Sequence, residues 1–254
     1  MTVFYAYIQH YPDPNIYRWL ITFANQETAN EWWRAILKLA KDGRTGYTDI
    51  KRIATQMYSY NANTLDLANS IRATLPLAPF ADSVFYTLLP NCDHQGYVRI
   101  SDLPPPPHRD PISGERYFIR TKSVPHLYWW KNPANNQILA SEHARSAFRI
   151  QRSNESTSGH EGNVSNVMID EDDIDIIFSF NLGQYVTNGT DNRLTLSGRS
   201  GGYKFRNFKN SFATWDDATQ GATSWSTVGD QPVDKGCKIS VLFTEGAGYG
   251  WELV

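Results

Sequence analysis

Tyr117-Phe118-Ile119-Arg120, Leu127-Tyr128-Trp129-Trp130, Gln137-Ile138-Leu139-Ala140-Ser141 and Phe148-Arg149-Ile150 follow one another between residues 117 and 150. Each is a short run of aromatic and β-branched residues long enough for one strand. Turn-forming Ser, Pro, Asn and Glu stretches separate them, so the segment reads as four consecutive strands. The same order recurs downstream: Ile176-Ile177-Phe178-Ser179, Gln184-Tyr185-Val186-Thr187, Arg193-Leu194-Thr195-Leu196-Ser197 and Tyr203-Lys204-Phe205. A third, looser copy uses residues 212–215, 223–225, 238–243 and the terminal Gly250-Trp251-Glu252-Leu253-Val254. One four-strand unit cannot bury its own apolar face, whereas three related units can close around a common axis.

Working outward, the upstream limit of this region is Asp102-Leu103-Pro104-Pro105-Pro106-Pro107-His108-Arg109-Asp110-Pro111. Four successive prolines fix φ and remove four amide donors, so neither a helix nor a central strand can continue there. The expected organisation is a first domain over residues 1–103, a Pro-rich linker over 104–111 and a second domain over 112–254.

In the first domain, residues 3–8 and 17–23 read as strands joined by Tyr11-Pro12-Asp13-Pro14-Asn15, after which the period changes from two to 3.6. Ala29, Trp32, Trp33, Ile36, Leu37 and Ala40 share one helical face, with Asn25 as cap and Gly43 as stop. Adjacent tryptophans on a helix point about 100° apart, which makes at least one of this pair a core residue. Tyr47, Ile50, Ile53, Ala54, Met57 and Tyr58 repeat the helical spacing and predict a second helix, and residues 65–75 predict a third, ending at Pro76. Residues 84–89 and 97–100 return to strand chemistry. The fold class expected is an α+β first domain followed by an all-β second domain.

The spacing of Tyr-Phe-Ile-Arg, Leu-Tyr-Trp-Trp, Ile-Leu-Ala-Ser and Phe-Arg-Ile, with the final Gly-Trp-Glu-Leu-Val, resembles the ricin-B-like and fascin-like β-trefoil lectin family over residues 112–254. The resemblance implies a β-trefoil and a lectin-like activity. The Gln-x-Trp signature usual in sugar-binding ricin-B repeats is missing; Gln184-Tyr185-Val186 is its distant analogue.

Sugar recognition needs indole faces for C–H stacking beside Asn and Asp groups for the hydroxyls. Three stretches combine them and supply the candidate ligand-binding residues: Trp129, Trp130, Asn132, Asn135 and Asn136; Asp191 and Asn192; and Trp215, Asp216, Asp217 and Trp225. Strand alternation sends one of Trp129 and Trp130 outward when the other is core. The competing reading is that the indoles fill the barrel floor and the Asn and Asp residues shape tight turns.

The rest of the composition removes other classes. With 24 Lys+Arg against 26 Asp+Glu the charge gives no reason to expect nucleic acid, and a mean hydropathy of −0.48 with no 18-residue apolar run excludes a membrane-spanning helix, so no membrane insertion is expected. The acidic run Asp170-Glu171-Asp172-Asp173-Ile174-Asp175 lacks the spacing of a helix-loop-helix calcium loop and reads as a solvated turn. Cys92 and Cys237 carry no metal spacing, and Cys92-Asp93-His94 lacks the flanking elements that would activate a thiol. No catalytic residue, metal or cofactor is expected.

The start of the chain lacks the features of a secretory leader, and the expected location is cytoplasmic. The expected function is carbohydrate binding without catalysis, with glycans or glycoproteins as partners and self-association adding avidity. The alternatives are a protein-interaction scaffold built on a fascin-like trefoil, or a hydrolase that uses a trefoil for targeting.

Overall fold

The computed structural model describes residues 3–14, 16–89, 109–153, 166–215, 239–244, 248 and 250–254. The chain is mostly strand and divides into two compact units. Unit 1 comprises residues 1–110 and 160–169; unit 2 comprises 111–159 and 170–254. The return of 166–169 to unit 1 has no counterpart in the sequence reading, and the four prolines lie outside the described residues.

Unit 1 begins with strands β1 (Phe4–His10) and β2 (Arg18–Phe23), paired antiparallel so that Phe4 faces Phe23 and Ala6 faces Ile21. Helix α1 (Gln26–Lys41) follows. The Asn25 side chain accepts from the Thr28 amide at 2.9 Å, and Gly43 beyond the end takes φ +73°. Ala29, Trp32, Trp33, Ile36 and Leu39 are buried, so both indoles of the tryptophan pair belong to the core.

The helix expected over residues 47–58 does not form. A single 3₁₀ turn (Tyr47–Asp49) is followed by a hairpin of β3 (Lys51–Ala54) and β4 (Met57–Tyr60). β4 lies parallel to β1, with Ile8 beside Tyr58 and His10 beside Tyr60. Tyr58, Ser59 and Tyr60 are all buried whereas Ile53 is 54 % exposed, so burial does not follow the expected helical face. Helix α2 (Leu67–Ala73), capped by Asp66, occupies part of the expected third helix, and β5 (Val84–Leu89) completes the sheet in the order β3-β4-β1-β2-β5.

Unit 2 contains β6 (Arg116–Thr121), β7 (Tyr128–Lys131), β8 (Ile138–Ser141), β9 (Ala147–Arg152), β10 (Asp173–Phe178), β11 (Tyr185–Asn188), β12 (Leu194–Ser197), β13 (Tyr203–Lys204), the one-turn helix α3 (Asn207–Asn210), β14 (Phe212–Trp215), β15 (Ile239–Phe243) and β16 (Trp251–Leu253). All of these strands join one sheet. The two four-strand runs seen in the sequence pair alike. In β6 to β9 the first strand pairs with the second and fourth, and the second with the third; β10 to β13 repeat that scheme. β9 joins the runs by pairing with β10, and β16 returns to pair with β6. In the third run β14 pairs with β15, while residues 223–225 lie outside the described set.

Trp129 is the centre of this unit's core. Its ring centroid is 5.0 Å from Phe212, 5.8 Å from Phe148 and 5.8 Å from Trp251, and the Trp251 indole N–H donates to the Phe212 carbonyl at 2.8 Å. No helix among the described residues is long and apolar enough to cross a membrane.

Candidate functional site

Strand alternation on β7 decides the fate of the tryptophan pair. Trp129 is 0 % exposed and enclosed by aromatic rings, so no ligand reaches it, and its assignment as a ligand-binding residue is corrected to core. Trp130, one residue on, faces the other way and is half-buried.

The turn that follows uses its own amides. Asn132 accepts from the Ala134 amide at 3.1 Å; Asn135 accepts from the Gln137 amide at 2.9 Å and donates to the Gln137 side chain at 3.2 Å. These are Asx-turn bonds, so Asn132 and Asn135 shape the loop. Asn136 is exposed, and its carbonyl accepts from the Leu196 amide at 2.7 Å. A bridge between Gln137 and Thr195 adds to this link. The β7–β8 turn thereby lies against β12, whose own hairpin turn carries Asp191 and Asn192.

Asp191 (φ +57°) and Asn192 (φ +60°) occupy the left-handed region, which Asp and Asn enter more readily than other side-chain-bearing residues, and both are exposed. The Gln137–Thr195 bridge is antiparallel, so Asn135 and Asn136 run toward Leu196 and Ser197 while Asp191 and Asn192 lie at the opposite end of β12; the two turns are linked through β12 but point apart, with Trp130 on the strand leading to the first. Trp215 closes β14 opposite Ser240. Asp216, Asp217 and Trp225 lie outside the described residues, as do Cys92, His94 and Cys237.

The acidic run is a paired turn. Asp170 meets Lys209 at 2.6 Å, Glu171 meets Arg206 at 2.9 Å, and Asp173 meets Lys204 at 3.3 Å. Backbone bonds from Phe205 to Asp172 and from Arg206 to Asp170 hold the acidic and basic segments side by side. No group of three or more His, Cys, Asp or Glu among the described residues is placed to hold a metal ion.

Two constellations in unit 1 were not singled out by the sequence. His10 is buried among Tyr17, Tyr60 and Tyr11, with ring centroids 6.0, 6.2 and 6.4 Å away, and its Nδ1 accepts from the Ala62 amide at 3.0 Å. Tyr17 has φ +49°, an uncommon conformation for a bulky residue, and its carbonyl accepts from the Tyr60 hydroxyl at 2.9 Å. Burial pushes Tyr60 above the ordinary tyrosine range. The available signal was the density of tyrosines flanking the Pro12-Asp13-Pro14 turn.

The second constellation is Arg52, fully buried, which donates through Nη2 to Asp110 at 2.9 Å and to Asn30 at 3.0 Å. Thr55 and Gln26 also donate to Asp110, at 2.8 and 3.0 Å. The Arg52 guanidinium stands 5.6 Å over the Tyr58 ring. Burial drives the Tyr58 hydroxyl far above the usual tyrosine range, against the opposing pull of Arg52. The spacing from residue 52 to residue 110 gives no sequence signal for this pair.

No protein-family model matches the chain, and comparisons with curated proteins and with solved structures yield no significant match.

Proposed function

We propose that the chain is a carbohydrate-binding, lectin-like protein without catalytic activity, and that unit 2 is a β-trefoil. The observation carrying this reading is the shared pairing scheme of β6 to β9 and β10 to β13, whose inner hairpins are linked by the Gln137–Thr195 bridge. Consecutive four-strand units joined through their first and fourth strands are what a pseudo-threefold barrel requires. Hairpin ends with exposed amide and carboxylate groups, as at Asn135 and Asn136 and at Asp191 and Asn192, offer sugar hydroxyls donors and acceptors.

With Trp129 in the core, the stacking surface falls to Trp130, and the hydrogen-bonding groups are Asn136, Asp191 and Asn192. Recognition is equilibrium binding with no bond made or broken. Glycans or glycoproteins are the partners, and self-association raises avidity through repeated sites.

The test is a glycan-array screen of the full chain beside the variants Trp130→Ala and Asp191→Ala with Asn192→Ala, each checked for folding by circular dichroism. Binding to one sugar class that disappears in the folded variants supports the reading. Absence of binding to every glycan overturns it in favour of a protein-interaction scaffold. The use of Asn132 and Asn135 within their own turn favours that second reading.

A further inference from the structure

We infer that one end of unit 2, formed by the turns at residues 122–127, 142–146 and 179–184, is a docking face for an anionic phospholipid surface. Strand register places the three turns together. Tyr128 opposite Ser141 sets the β6–β7 turn beside the β8–β9 turn. Phe178 opposite Phe148, with the Ser179 amide donating to the Ala147 carbonyl at 3.2 Å, adds the β10–β11 turn to the same end. The turns at 122–127 and 179–184 occupy equivalent positions in the two like-paired runs, each linking a first strand to a second.

These two equivalent turns carry the two most exposed large apolar side chains of the described residues, Val124 at 82 % and Phe180 at 81 %, and the second also exposes Leu182. Phe180 is held outward by its own hairpin. The Phe178 amide donates to the Gln184 carbonyl, the Asn181 amide to Phe178 and the Gln184 amide to Asn181, closing a tight turn whose tip is Phe180 to Gly183. The Phe180 ring rests on Phe178 at 5.5 Å, and Phe178 rests on Phe148 in the core at 6.1 Å. A large apolar side chain fixed at a hairpin tip, with its ring propped on the core behind it, keeps its apolar surface in water unless something covers it.

Charge selects the occupant. The ionised residues of the three turns are Lys122, Arg145 and Glu142. Arg145 is exposed, its guanidinium 4.4 Å over the Phe118 ring and 5.8 Å over Tyr128, which positions the cation at the rim of the face. Neither Lys122 nor Arg145 pairs with a carboxylate among the described residues. Single apolar tips on separate turns, rimmed by cations, suit a bilayer interface, where each tip enters lipid independently and each Lys or Arg is attracted to anionic headgroups.

The test is sedimentation of the full chain with vesicles of phosphatidylcholine alone and of phosphatidylcholine with phosphatidylserine, in low and high salt. The comparison is the double variant Phe180→Ser/Leu182→Ser and the charge reversal Lys122→Glu. The expected result is binding to the phosphatidylserine vesicles that weakens with salt, falls about tenfold or more in the double variant and loses its lipid preference in Lys122→Glu. No binding to phosphatidylserine vesicles at low salt, or equal binding by the folded double variant, overturns the proposal. So does a self-association in gel filtration that the double variant abolishes while vesicles go unbound. The vesicles contain no sugar, so this outcome is independent of the glycan screen.

Discussion

The Arg52 guanidinium and the Asp110 carboxylate, 58 residues apart in sequence, meet at 2.9 Å with side chains 0 % and 10 % exposed. A charge pair this deep is held by its hydrogen bonds, and Asn30, Thr55 and Gln26 supply them. Removing one partner leaves the other charge buried. Asp110→Ala is expected to cost about 3–5 kcal/mol, and Arg52→Met with Asp110→Leu to recover most of it, in urea denaturation followed by circular dichroism. A loss below about 1 kcal/mol for Asp110→Ala would show that the pair contributes little.

Tyr58 sets the response of unit 1 to alkali. Its folded pKa lies above its unfolded value, so its contribution to stability is complete below the ordinary tyrosine pKa of 10.0 and declines as pH rises above it. The hydroxyl has no hydrogen-bond partner among the described residues. Tyr58→Phe is expected to hold stability at neutral pH or raise it by about 1 kcal/mol, and to flatten the decline above pH 10. Thermal melts across that pH range measure both effects.

The two neighbouring indoles of β7 are expected to separate cleanly. Trp129→Ala removes the centre of the unit 2 core and costs about 3–5 kcal/mol, whereas Trp130→Ala changes stability by less than about 1 kcal/mol. Equal losses in chemical denaturation would contradict the alternation of β7.

The ion pairs joining residues 170–173 to 204–209 lie at the surface, with Glu171 66 % and Arg206 51 % exposed. Glu171→Gln should lower stability by no more than about 1 kcal/mol at low salt, an effect that fades as salt is added. A loss that persists in high salt would assign Glu171 a role other than charge pairing.

Unit 2 was legible in sequence because its strands are marked by aromatic and β-branched runs between turn residues, and those local cues agree with the tertiary pairing. The hairpin β3–β4 was not. Tyr47, Ile50, Ala54 and Tyr58 fall at helical intervals, yet the segment is won by pairing β4 beside β1, a tertiary contact that propensity does not encode. The candidate site was readable in part for a related reason. Alternation separates Trp129 from Trp130 once the strand is known, but an Asn that shapes a turn and an Asn that meets a ligand are the same residue in the same kind of loop. The Asn132 side chain is engaged in its own turn, whereas Asn136 enters the described hydrogen bonds through its backbone carbonyl. Arg52 and Asp110 left no trace because nothing periodic links them.

The chain supplies unit 1 through residue 110, enters unit 2, returns with residues 166–169, and then goes back to unit 2. Val167 and Met168 are buried, and the Val167 carbonyl accepts from Arg34 on α1 at 3.0 Å. Dissecting the gene at the proline run would therefore yield a fragment lacking both the carboxylate of residue 110 and the peptide that α1 grips. Unit 1 is not continuous in the reading frame, and a ribosome cannot finish it until it has made part of unit 2.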